Sequence, residues 1–203
     1  MTPSRYISAA FFLLLYLGFL AWYDGWGNGP LTAEELEGYL AKMPDQSESN
    51  DIAPRLRQFG EDDDGQEFFM LNLNRYEYAA GESREGVPAA YRDYSAAVIG
   101  MVISNAGHPV YSGRFPDYRL VGETADAGWH EVILVRYRSR RDFIDMVTSD
   151  EYQAIALVRA SGVAYAEVGP TLSNINFTTP RLVIALLLLL LAWCADAILK
   201  KLR

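Results

Sequence analysis

The sequence has 203 residues, of which 26 are acidic and 18 basic, so its formal net charge is −8. An acidic chain lacks the basic face on which nucleic-acid binding depends, and a composition that is 50% apolar excludes a wholly disordered chain. With one cysteine, the chain forms neither an internal disulfide nor a metal site built on paired cysteines.

The first predicted element is a hydrophobic segment of 18 uncharged residues, Tyr6–Tyr23. As a helix it is about 27 Å long, enough to cross the hydrocarbon core of a bilayer. A secretory signal peptide is the alternative, but no small-residue cleavage site follows the segment. Trp22, Tyr23 and Trp26 instead indicate aromatic anchors at the membrane surface. We therefore predict an N-terminal transmembrane helix within residues 1–23.

Residues 24–65 are predicted to form a linker that contains one amphipathic helix. Glycines and a proline directly follow the first span, a composition typical of a flexible exit. Thr32 and Glu35 have the spacing of a capping box. Apolar residues then recur at helical spacing, which predicts a helix at 32–43. They are Leu36, Tyr39, Leu40 and Met43.

Residues 66–170 are predicted to form an α+β domain. The strands are expected at 68–74, 109–113, 129–137 and 163–168. One helix is expected at 88–105, and two more are expected to begin at the caps Ser139 and Ser149, the last ending at Gly162. This β-α-β-β-α-β order is typical of a four-stranded antiparallel sheet with helices on one face, the ferredoxin-like layout.

The third predicted strand indicates that both faces of the sheet are covered. Both of its alternating sets of side chains contain apolar residues. One set is Trp129, Glu131, Ile133, Val135 and Tyr137, and the other is His130, Val132, Leu134 and Arg136. Because the helices cover one face, we expect the other to be covered from outside the monomer. The expected partner is a second copy of the chain or another membrane-protein subunit.

Residues 182–203 are predicted to be a C-terminal transmembrane helix with a basic tail, joined to the domain by a linker at 171–181. The helix contains six consecutive leucines, Leu186–Leu191, and Trp193 as a further anchor. Basic residues flank the outer ends of the two spans, at positions 5, 200, 201 and 203. The positive-inside rule then places both termini in the cytoplasm of a bacterium and residues 24–180 in the periplasm. Membrane lipids are accordingly an expected partner.

Three blocks of the predicted domain resemble a known family. They are Phe69–Tyr76, Gly107–Gly113 and the stretch from Trp129 to Arg159, which includes Arg138-Ser139-Arg140-Arg141-Asp142-Phe143. The blocks are similar to the uncharacterised domain-of-unknown-function family number thirteen-thirty, within the dimeric α+β barrel superfamily. The resemblance implies a ferredoxin-like domain and no settled reaction. Relatives in the wider superfamily include cofactor-free monooxygenases and haem-handling enzymes.

No catalytic residue, metal site or cofactor is predicted from the sequence. His108 and His130 are interpreted as a turn residue and a hydrogen-bonded strand residue, with a general base or haem ligand as the alternative. Arginines and tyrosines of the domain suggest an anion pocket, although arginines of an acidic domain are expected to pair with carboxylates. The candidate pocket residues are His130, Arg136, Arg159, Tyr152 and Asn72.

Two functions follow from these features. The first is a non-catalytic accessory or assembly subunit of a larger membrane protein complex, in the inner membrane of a bacterium, whose periplasmic domain is a protein-interaction surface. The alternative is a membrane-tethered enzyme of the monooxygenase-like superfamily that acts on a lipophilic small molecule.

Overall fold

The computed structural model describes residues 3–43, 52–83, 86–116, 120, 128–176 and 179–201. The helices are α1 (Pro3–Tyr23), α2 (Ala33–Leu40), α3 (Ile52–Glu61), α4 (Ala89–Ser104), α5 (Arg140–Val147), α6 (Asp150–Gly162) and α7 (Pro180–Lys201). The strands are β1 (Phe68–Tyr76), β2 (His108–Arg114), β3 (Glu131–Tyr137) and β4 (Val163–Thr171). The predicted linkers and basic tail include residues 44–51, 177–178 and 202–203, which lie outside the described residues.

The chain divides into two units, one formed by residues 1–27 and 174–203 and the other by residues 28–173. In the first unit, α1 and α7 pack against each other. Each contains a segment long and apolar enough to cross a membrane, at Tyr6–Tyr23 and Pro180–Ile198. The first segment agrees with the span predicted at 6–23, and the second begins two residues before the start predicted at 182.

An ion pair joins the end of α1 to the start of α7. Arg181 donates from Nε and Nη2 to one Asp24 carboxylate oxygen, at 2.9 and 2.6 Å. The guanidinium group also lies 4.8 Å from the centroid of the Tyr23 ring. Charge-assisted hydrogen bonds and a cation–π contact both stabilise this end of the helix pair.

The second unit contains a four-stranded sheet in the order β2-β3-β1-β4. Every neighbouring pair of strands is antiparallel. In the centre, Leu71 of β1 lies opposite Leu134 of β3 and Gly169 of β4. The predicted α+β class and the four-stranded antiparallel sheet are therefore confirmed.

Hydroxyl side chains begin three of the helices, as the sequence predicts. Thr32, Ser139 and Ser149 each accept a hydrogen bond from a backbone N–H in the first turn of the helix that follows. Thr32 also forms the complete capping box with Glu35. These caps satisfy amide groups that have no partner within the helix, and so they fix where α2, α5 and α6 begin.

Helix α3 lies within residues 24–65, the predicted linker, and it is an element that the sequence does not predict. Leu56 of α3 is buried together with Leu36 of α2 in the same core as the sheet. A Cβ added at Gly60 would lie 2.5 Å from the Leu36 side chain. The glycine therefore lets α3 approach α2 closely, and both helices belong to the packed core of the second unit.

The helices of this unit pack on one side of the sheet, here called the helix-covered face. It carries Phe68, Met70, Asn72, Asn74 and Tyr76 of β1, and Glu131, Ile133, Val135 and Tyr137 of β3. Buried residues of α2 to α5 pack with Phe68, Met70 and Tyr137, and α6 packs beside Tyr76. This face therefore holds the core of the domain.

The other side of the sheet is here called the open face, and it carries Phe69, Leu71, Leu73, Arg75, Val132, Leu134 and Arg136. Phe69 and Arg136 are buried at one end of this face. The four aliphatic side chains in its centre are only partly buried. Tyr111 and Tyr165, on the two outer strands, are 58% and 49% exposed. The open face is thus apolar at its centre and accessible.

Candidate functional site

A cavity of about 480 Å³ lies between α4 and the sheet. Its apolar wall includes Val98, Ile99 and Val102 from α4, and Ile133 and Val135 from β3. Tyr91, Tyr94 and Tyr137 add aromatic rings to the wall. A mostly apolar cavity of this volume falls within the size range of small-molecule binding sites.

Glu131 is the acidic residue in the wall of this cavity, and it is 7% exposed. The Tyr76 hydroxyl donates to one carboxylate oxygen, and the Ser112 hydroxyl donates to the other at 2.8 Å. Within the described part of the chain, both of these partners are neutral. Arg114 lies opposite Glu131 in the register of the sheet, but its side chain is exposed on the edge strand. Burying a carboxylate is costly, and no cation is among the described partners of Glu131, which makes this residue a candidate functional group.

A second polar network, centred on Asn74, holds the tyrosines in place. Asn74 is fully buried and donates to the Tyr91 hydroxyl at 2.9 Å. Arg159 donates weakly to the Asn74 side-chain oxygen at 3.5 Å, and its guanidinium lies 5.9 Å from the centroid of the Tyr94 ring. The hydroxyls of Tyr94 and Tyr152 lie 3.4 Å apart. These contacts position two of the rings that line the cavity.

The buried phenols of this region stay protonated. Burial raises the pKa of Tyr76, Tyr91, Tyr94 and Tyr137 above the ordinary value for tyrosine, because the charged phenolate loses its hydration. The hydrogen bond to Glu131 raises the pKa of Tyr76 further. Near neutral pH, therefore, these hydroxyls act as neutral donors and acceptors.

The structure brings only part of the predicted pocket together. Asn72 lines the cavity, and Tyr152 and Arg159 lie beside Tyr94. His130 and Arg136 are not among the described residues that line it. The predicted cluster of arginines around one pocket is therefore not formed by the described side chains.

His130 and Arg136 instead hold local structure. The Nδ1 atom of His130 accepts the Tyr76 backbone N–H at 2.9 Å, which connects the ends of β1 and β3. Arg136 is 1% exposed, and it pairs with Glu67 at 2.9 Å and donates to the Ala106 carbonyl at 2.7 Å. These contacts agree with the interpretation of a hydrogen-bonded histidine and a carboxylate-paired arginine.

Glu131, Tyr76 and Ser112 are not among the site residues predicted from the sequence. A signal was present, because Glu131 alternates with Ile133, Val135 and Tyr137 on one face of β3. An acidic residue on a core-facing strand surface is unusual. Among the described residues, no group of three or more His, Cys, Asp or Glu side chains is placed to hold a metal ion.

The four predicted membrane anchors differ in exposure. Trp22, Trp26 and Trp193 are 46%, 56% and 69% exposed, as residues that contact lipid would be. Tyr23 is 3% exposed and lies under the Arg181 guanidinium. Tyr23 therefore contributes to the packing of this unit.

Comparisons with known proteins show the fold alone. No protein-family model and no curated protein matches the chain. The fold is similar to the crystal structure of RPA0582, a protein of unknown function from Rhodopseudomonas palustris, with a TM-score of 0.55 and 21% identity over 63% of this chain and 97% of that chain. The structure of methylated RPA0582 gives a TM-score of 0.53 and 23% identity over 64% of this chain and 96% of that chain.

Proposed function

We propose that this chain is a membrane-anchored, non-catalytic accessory or assembly subunit of a larger membrane protein complex, and that the open face is its protein-interaction surface. The observation that carries the proposal is the accessible apolar centre of that face, formed by Leu71, Leu73, Val132 and Leu134. Contiguous apolar surface of this kind is typical of interaction sites. The occupant in this proposal is another subunit of the complex or a second copy of the chain.

The proposed membrane arrangement has two transmembrane helices, both termini in the cytoplasm and residues 24–180 in the periplasm of a bacterium. It is supported by the two long apolar helices and by the basic residues next to the outer ends of the spans. On the other side of the spans, Lys42 and Arg181 are the basic residues within about 20 positions of the membrane segments.

We also infer that the domain has the ferredoxin-like layout of the dimeric α+β barrel superfamily, and that it is related to the family numbered thirteen-thirty. The β-α-β-β-α-β order and the antiparallel strand order β2-β3-β1-β4 support this inference. In that arrangement a second sheet covers the apolar side chains of the open face and lies about 10 Å from it.

The proposal is tested by the mass of the full chain extracted from its own membranes in a mild detergent. We expect an assembly larger than one chain. Val132→Asp on the open face should dissociate it, because an unpaired carboxylate is costly in an apolar interface. Ile103→Asp is the matched control, since Ile103 is 52% exposed on α4. A wild-type chain that is monomeric, or that assembles equally well with Val132→Asp, would contradict the proposal.

The cavity favours a second candidate, a membrane-tethered enzyme of the monooxygenase-like superfamily that acts on a lipophilic small molecule. Its wall joins apolar side chains to the polar group of Glu131. The test is consumption of quinone-like compounds and of lipophilic amines by the purified full chain. Activity should be lost in Glu131→Gln, whereas His130→Ala tests a residue outside the described cavity wall. Absence of turnover across such compounds would reject this candidate.

A further inference from the structure

We propose that the cavity beside Glu131 binds a lipophilic amine, with the ammonium group against the carboxylate and the apolar body along α4. The inference rests on the second candidate function, since it names the chemical class of molecule that the cavity takes. It depends on the charge of the wall and on the shape and chemistry of the rest of the cavity.

The charge of the wall points to a cationic ligand. Glu131 is 93% buried, and its partners within the described residues, Tyr76 and Ser112, donate neutral hydrogen bonds. Two such bonds use part of the accepting capacity of a carboxylate, which has about four lone-pair sites. An ammonium group would supply a charge-assisted hydrogen bond and an opposite charge, which neither described partner of Glu131 carries. A carboxylate ligand would place two like charges together.

The remaining wall fits the body of such a ligand. The tyrosine rings of Tyr91, Tyr94 and Tyr137 line the cavity together with aliphatic side chains of α4. Aromatic faces attract cations within about 6 Å, and they also pack against apolar groups. Arg92, the basic residue of the described wall, is exposed. The net charge of −12 over residues 24–180 adds a long-range attraction for cations.

The experiment uses the full chain in nanodiscs of zwitterionic phosphatidylcholine, with empty nanodiscs as the blank. Three probes share one apolar body and differ in the head group: phenylbutylamine, phenylbutanol and phenylbutyrate. Binding is measured by calorimetry. We expect the amine to bind about tenfold more tightly than the alcohol, and phenylbutyrate to bind most weakly.

Three variants locate the binding. Glu131→Gln keeps the size of the side chain and removes its charge, so the advantage of the amine over the alcohol should fall to within about twofold. Glu167→Gln removes an exposed carboxylate of β4 and should keep the advantage. Ile99→Trp fills the cavity from α4 and should abolish binding of every probe.

Each other result overturns the proposal. Equal binding of amine and alcohol by the wild type, or an amine advantage that survives Glu131→Gln or Ile99→Trp, rejects the amine assignment. If Glu131→Gln fails to fold, the order of the three probe affinities in the wild type and the loss of binding in Ile99→Trp still test the amine assignment. Preferred binding of the alcohol or the acid, lost in Ile99→Trp, would leave a ligand site standing and reject only the amine. If no probe binds, both the ligand site and its preference for amines are rejected.

Discussion

The two faces of the sheet differ in how far their apolar side chains are buried within the chain. On the helix-covered face, five helices bury Phe68, Met70 and Tyr137, and the polar groups of Asn74 and Glu131 have hydrogen-bond partners. On the open face, Leu71 and Leu134 lie opposite each other and stay partly exposed. Helices of the same chain cover the first face except at the cavity beside Ile133 and Val135, whereas the second face has its apolar centre left for contact with another molecule.

Substitutions on the two faces should therefore change different properties, namely the stability of the domain and its association with other chains. Substitutions on the helix-covered face should act on the free energy of unfolding, because they remove contacts within the domain. Substitutions in the centre of the open face should act mainly on assembly, because those side chains are half-buried in the single chain.

The largest effect is expected at Ile144 of α5, which is fully buried in the core against the helix-covered face. Ile144→Ala should lower the free energy of unfolding by about 4 kcal/mol, since the cavity it leaves adds to the lost transfer energy. Leu134→Ala on the open face should cost about 1 kcal/mol in the single chain. Urea titration of the detergent-solubilised full chain, monitored by hydrogen exchange of the sheet amides, measures both losses of unfolding free energy. Equal losses at the two positions would contradict this expected difference between the two faces.

Arg136 tests the comparison of the two faces at a buried position, because it lies at the end of the open face and is buried within the chain. Arg136→Ala removes the cation that pairs with Glu67 and the donor to the Ala106 carbonyl. The expected loss of stability is about 3 kcal/mol, the lower part of the range for a broken buried pair, since Glu67 is partly exposed. Arg75→Ala, at an exposed arginine of the same face, should cost less than about 1 kcal/mol in the same titration. A small effect at Arg136 would show that its pair adds nothing to stability.

Asn74 tests the polar network of the helix-covered face. Asn74→Ala should destabilise the domain by about 2 kcal/mol, because it leaves the buried Tyr91 hydroxyl without this donor. Tyr91→Phe removes the hydroxyl itself and should cost less. Together with the double variant, the two form a cycle whose coupling energy is read from the unfolding free energies. Additive losses would show that the hydrogen bond carries no coupling.

The smallest effect concerns the attachment of α2. Arg141 donates two hydrogen bonds to Glu35, and with the Thr32 backbone N–H it lowers the pKa of Glu35 from 4.5 to about 2. Because the folded pKa is lowered, the stabilisation is fully present above about pH 4.5 and is lost as the pH falls toward 2. Carbon NMR titration of the side-chain carboxyl should show this low pKa. Arg141→Gln should raise it toward 4.5, and an unchanged value would contradict the assignment.

Much of the fold could be predicted because its signals are local. Ser139 and Ser149 cap helices wherever their side chains reach the first-turn amides, and the alternation along β3 needs no partner strand to be seen. Helix α3 was missed because Pro54 and Gly60 are poor helix formers and the segment is polar. The spacing of Ile52, Leu56 and Phe59 was the available signal, and tertiary packing of Leu56 completes the helix.

The candidate site was less predictable because it depends on distant pairings. Glu131 receives its hydrogen bonds from Tyr76, 55 residues earlier, and from Ser112 on a different strand. Only the register of three strands places these groups together, and register is not written in any one segment. For the same reason the predicted pocket mixed Asn72, on the helix-covered face, with Arg136, on the open face.

The most direct test of the account is site-specific photo-crosslinking in native membranes. A photoreactive amino acid is placed at Val132 in the centre of the open face, or at Ile103 on the exposed side of α4 as the control. We expect a covalent product with a second protein chain from Val132 and none from Ile103. No product from Val132, or equal products from both positions, would contradict the open face as the interaction surface.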